Sequence, residues 1–152
     1  MVLVLVVLSV ALAMAAPSMQ GWSRGSKQRD AAENFLSVTR WARTQAAADA
    51  RLYRLNVDEQ AGKYFLSVQD GQQLVPLGTS MGQQFEVPEG NRIEVKDLTG
   101  QPLQFLDFYP TGRAQPAIVR ITSAHDGRVI QLECLSPAEP FRQATNTQEQ
   151  VR

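Results

Sequence analysis

One histidine and one cysteine bound most of the chemistry open to this chain. His125 lies in Ala-His-Asp-Gly, a stretch of turn composition. A hydrolase triad needs a base oriented by a third group, and a turn histidine is ordinarily just solvated. No second histidine exists to share a metal ion. Cys134 sits in the apolar run VIQLECL and reads as a small buried hydrophobe; without a second cysteine it makes no internal disulfide and no Cys-based zinc site. Asp58 and Glu59 are adjacent carboxylates, but they open a turn. Gly62-Lys63 lacks the preceding glycine of a phosphate-binding loop. Gly71, Gly78 and Gly82 do not have the dinucleotide-binding spacing. Arg40, Arg43, Arg51 and Arg54 cluster where a helix would end and read as a solvated face beside Glu33 and Asp49. Fifteen basic and fifteen acidic residues cancel, which removes the bulk electrostatic case for nucleic acid. These residues give no reason to expect an enzyme, a cofactor or a metal.

The elements are more informative. Residues 2–16, VLVLVVLSVALAMAA, have Ser9 as their one polar side chain. Val2, Leu3, Val4, Leu5, Val6, Val7, Leu8, Val10 and Leu12 make a membrane or assembly helix that closes at Pro17. The run is shorter than the roughly 20 residues of a typical spanning helix. It also fits a signal peptide, with Ala13-Met14-Ala15 as a cleavage site, but no basic residue precedes it. A helix buried in a soluble domain would need enclosure on every side. A chain whose natural start lies upstream of Met1 reconciles these facts. Pro17, Gly21 and Gly25 predict a flexible joint over residues 17–26. Trp22 suits a membrane interface, and Arg24, Lys27 and Arg29 beyond it would by themselves put this flank in the cytoplasm.

Residues 27–50 are rich in helix formers. Ala31, Phe35, Val38, Ala42 and Ala46 recur at helical spacing and predict one apolar stripe against a sheet. Together the two halves make a helix on the order of 75 Å long. After Ala50 the period shortens to two. Tyr53, Leu55 and Val57 alternate with Leu52, Arg54 and Asn56, predicting a strand over 51–58. Return strands follow at 64–68, around Leu74 and Val75, and at 93–98 and 103–108, with a short one near Phe85. The chain turns at Asp70-Gly71, at Thr99-Gly100 and at Tyr109-Pro110-Thr111-Gly112. A last hairpin joins 117–122 to 128–135 through Asp126-Gly127. The expected class is α+β: one long N-terminal helix on a small antiparallel sheet domain. It divides into an apolar helix half at 1–20, an amphipathic half at 21–50, a β domain at 51–136 and a polar tail at 137–152.

This order of parts resembles the type IV pilin-like family. Ala42-Arg43-Thr44-Gln45-Ala46 followed by the 52–57 strand is similar to the helix-to-sheet passage of the minor pseudopilin H of type II secretion systems and of FimT-like minor pilins. The turn of Phe108, Pro110 and Gly112 resembles that group's F-x-P-x-G-x turn, and the Asp126-Gly127-Arg128-Val129 hairpin fits its closing strands. The resemblance spans residues 1–135. The family's basic leader, processing motif, methylated residue and glutamate do not appear; counting back from Pro17 would put that glutamate just before Met1. The resemblance implies a non-catalytic subunit of a pseudopilus that drives protein export, or alternatively a minor type IV pilin for pilus assembly or DNA uptake. It implies as partners other pseudopilin subunits, the inner-membrane assembly platform, the bilayer before assembly and a prepilin peptidase; nucleic acid is not expected. It also implies a single-pass inner-membrane protein with its C-terminal domain in the periplasm, against the charge flank noted above.

Overall fold

A computed structural model describes the backbone of residues 2–145 and the side chains of residues 25–145. Helix α1, Val2–Asp49, is helical throughout. It passes Pro17, Gly21 and Gly25 without interruption, so the joint expected there is no break in the helix. A single proline deletes one hydrogen bond and strains one turn, which a bend can absorb. The apolar residues from Val2 to Leu12, and Pro17, belong to α1, but their side chains lie outside the described residues. Among the described residues no helix is long and apolar enough to cross a membrane.

The strands follow in chain order: β1 Tyr53–Asp58, β2 Lys63–Asp70, β3 Gln73–Pro76, β4 Phe85–Glu86, β5 Asn91–Lys96, β6 Phe105–Phe108, β7 Ala117–Ser123, β8 Val129–Cys134 and β9 Arg142–Gln143. They form two antiparallel sheets where a single one was expected. The first runs β3-β2-β1-β6, with β4 also on β2; the second runs β5-β7-β8-β9. The division follows from long-range pairing. β1 takes β2 on one edge and β6 on the other, with Leu55 opposite both Leu66 and Leu106. β7 takes β5 and β8, with Ile121 opposite Ile93 and Ile130.

The core lies where α1 crosses the inner faces of both sheets, in contact with β1, β6, β7 and β8. Ala31, Phe35, Val38, Ala42 and Ala46 are all buried, together with Ala32 and Leu36. Phe35 meets Tyr64 edge to face at 5.2 Å, and Tyr64 stacks on Phe85 at 5.4 Å. Truncating a ring as buried as Phe35 typically costs about 3–5 kcal/mol. The stripe ends in small residues, Ala42 and Ala46, so the helix can sit close to β1. In β1 Tyr53, Leu55 and Val57 face inward.

Past Pro137, where a polar tail was expected, the chain remains part of the fold. Phe141 is buried beside Phe108, ring centroids 6.4 Å apart, and β9 adds a strand to β8. Residues 146–152 lie outside the described residues.

Candidate functional site

Two polar contacts supplement the apolar stripe that ties α1 to the β domain, one near each end of the stripe. Gln28 is buried on the helix, and its amide Nε2 donates to the backbone oxygens of Ile121 at 2.9 Å and Arg128 at 2.8 Å. It thereby grips strand β7 and the residue that leads into β8. Fifteen residues later, about 22 Å along the axis, Arg43 Nε donates to Gly112 O at 2.7 Å and Nη2 to Ala138 O at 2.6 Å. One guanidinium thus clamps two loops to the helix. A planar fork with fixed donors suits this task better than an ammonium group.

The 108–113 turn is built to meet that clamp. Phe108 is buried, while Tyr109 and Pro110 are exposed. Gly112 N–H donates to Tyr109 O at 2.9 Å, and Tyr109 N–H to Arg113 O at 2.8 Å. Gly112 has φ 76°, a left-handed conformation that favours glycine. It aims its carbonyl at Arg43, and a Cβ placed on it would stand 3.8 Å from that of Ala47.

The arginine cluster does not form one solvated face. Arg43 is the clamp. Arg54 makes a bidentate pair with Asp107, 2.7 and 2.9 Å, and its guanidinium lies 3.7 Å from the Phe105 ring centroid. The Asp107 bonds hold the Arg54 guanidinium even more firmly protonated than usual. Arg40 and Arg51 are exposed as expected. Sequence reasoning missed Gln28, the Arg43 clamp and Phe141. The Gln28 and Arg43 partners lie 69 to 100 residues away, so no local signal marks them.

Potentially reactive groups are placed differently. Cys134 is buried, and its thiol contacts Ser136 O at 3.3 Å and Glu139 O at 3.4 Å. Burial pushes its pKa up, away from the thiolate a nucleophile needs. His125 is exposed in the β7–β8 turn. Asp58 caps its own turn, accepting from Gln60 N and Ala61 N, and Glu59 accepts Val95 N–H at 2.7 Å. Among the described residues no group of three or more His, Cys, Asp or Glu side chains converges to hold a metal ion.

No protein-family model matches the chain, and no curated protein sequence matches it. Solved structures do match it in fold. The minor pseudopilin EpsH from the type 2 secretion system of Vibrio cholerae has a TM-score of 0.65 at 13% identity, over 78% of this chain and 97% of that one. GspH of E. coli has a TM-score of 0.62 at 18% identity, over 82% and 92%. The type IV minor pilin FimU of Pseudomonas aeruginosa has a TM-score of 0.61 at 10% identity, over 82% and 92%. The fold of this chain is therefore pilin-like, of the kind seen in minor pseudopilins and minor pilins.

Proposed function

We propose that this chain is a non-catalytic minor pseudopilin of a type II secretion system, held in the inner membrane by its apolar N-terminal helix and assembled through it into a periplasmic pseudopilus. The observation that carries the reading is one continuous helix whose first half is apolar and whose second half is clamped to a β domain at both ends. A load applied along such a helix passes into the β domain through Gln28, Arg43 and the buried stripe between them. The likeness in fold to EpsH and GspH supports the same assignment. Its partners are other pseudopilin subunits and the assembly platform of the inner membrane, with the bilayer as host before assembly. A full-length precursor would be a substrate of a prepilin peptidase, and its processed product would carry a methylated N-terminus. The likeness to FimU supports a second reading, a minor type IV pilin.

Leu5→Arg tests the assembly role. A charged side chain costs about 2.5–3.5 kcal/mol at the centre of a membrane helix. The variant is expected to keep a folded β domain by circular dichroism while losing the membrane and filament fractions, and with them export of the secreted cargo. Export at the unmodified level would overturn the proposal. Co-purification of the unmodified chain with surface pili, and not with the secretion platform, would favour the minor-pilin reading.

A further inference from the structure

The β domain has a definite end that faces the apolar half of α1. Arg43 meets Gly112 and Ala138, whereas Gln28 meets Ile121 and Arg128. Strand β7 therefore runs toward the helix N-terminus, and the 124–127 turn is its tip. The bond from Ala124 N–H to Gly90 O, 2.8 Å, brings Glu89 and Arg92 to the same end, one charge of each sign. Arg128 lies against the helix itself: a Cβ on Gly25 would come within 3.2 Å of its Nη1. Glycine at this position lets the guanidinium rest on the helix backbone. Lys27 and Arg29 are exposed on the next turn.

Of the acidic groups here, Glu89 is balanced by Arg92, and Asp126 and Asp30 each accept a hydrogen bond. Asp126 accepts Arg128 N–H at 3.2 Å and lies 3.4 Å from the Arg128 guanidinium, while Ser26 Oγ donates to Asp30 at 3.4 Å. The Arg128 side chain is still 61% exposed. An exposed ion pair of this kind is weak and leaves its cation available.

We infer that the tip of the β7–β8 hairpin, with Arg128, Lys27 and Arg29, is a contact surface for anionic phospholipid headgroups. The inference rests on the membrane reading given above. If the apolar run ends at the hydrocarbon boundary near Ala16, Gly25 stands about 13 Å further along the helix. The headgroup layer fills roughly 5–8 Å of that distance. The remainder is within a Debye length, about 8 Å at physiological ionic strength. Each cation near such a surface contributes about a fivefold change in the contact equilibrium, falling off within a Debye length. The contact would seat the β domain on the leaflet in a fixed orientation while the subunit waits to assemble.

The test is amide hydrogen exchange of the full chain reconstituted in vesicles of phosphatidylcholine alone or of phosphatidylcholine with phosphatidylglycerol. Exchange at residues 124–128 is expected to slow about fivefold or more in the phosphatidylglycerol vesicles, with amides of β1 and β6 unchanged. Arg128→Gln should remove most of that protection, and Asp126→Asn, which frees the guanidinium, should deepen it. Equal exchange in both vesicles, with the chain still bound, would overturn the inference and leave the membrane reading standing. Equal protection by excess inorganic phosphate over phosphatidylcholine vesicles would also overturn it, since the ligand would then be a free anion. Failure to associate with either vesicle would overturn the membrane reading and this inference together.

Discussion

Arg43 is the side chain whose loss would be felt most widely for its size. Its two carbonyl partners come from loops 69 and 95 residues away, and each bond has a charged donor. Charge-assisted bonds contribute about 1.5–3 kcal/mol when buried, and the Ala138 partner is exposed. Arg43→Ala should therefore lower stability by about 2 kcal/mol, read as a shift in the urea midpoint at unchanged slope. Arg43→Lys should recover less than half of that, because an ammonium cannot reach both carbonyls in the fork geometry. A residue with Arg43's composition and spacing looks like any solvated helix arginine. Its role becomes visible only once Gly112 and Ala138 are brought alongside it.

The end of α1 shows how an element stops. Arg51 N–H donates to Ala46 O at 3.2 Å, the six-to-one bond of a Schellman turn, and Ala50 takes φ 52° to allow it. Alanine adopts this conformation at a cost of roughly 1 kcal/mol that glycine avoids. Ala50→Gly is thus expected to raise the thermal midpoint by a few degrees, as about 1 kcal/mol would in a domain of this size. An unchanged or lowered midpoint would contradict that account. Elements of strong period were legible in advance. The Ala31, Phe35, Val38, Ala42, Ala46 stripe repeats every three to four residues, and Tyr53, Leu55 and Val57 alternate strictly. Strand β9 was not legible: two residues carry no period, and the Phe141 that anchors it looks like one apolar residue in a polar tail. The split into two sheets was hidden for a related reason, since β1 pairs with β6 across some fifty residues and local alternation does not name a partner.

At the scale of the whole molecule, tyrosines in the shared core set the alkaline limit of stability. Burial raises Tyr53 to about 12, helped by its hydrogen bond of 2.6 Å to Asp49, and burial alone raises Tyr64 to about 12. Both are neutral when protonated, so the folded state holds its protons longer than the unfolded chain, whose tyrosines ionise near 10. Their contribution is complete below about pH 10 and is lost as pH rises toward 12, an upper bound of roughly 3 kcal/mol for Tyr64 and well below that for Tyr53, whose hydroxyl is screened by solvent. Unfolding in urea should become steeply easier across that interval, and Tyr64→Phe should flatten the fall; a midpoint independent of pH there would refute it. The contact between Glu59 and Val95 has a consequence of another kind. Val95 lies on the outer strand of the second sheet, its N–H taken by Glu59 and its carbonyl by Leu103 N–H at 2.8 Å. Strands left open at a sheet edge recruit other strands, and that recruitment propagates. Under the proposed assembly through one long helix, closing this competing route would add fidelity, and a single carboxylate reaching across from the β1–β2 turn helps to close it.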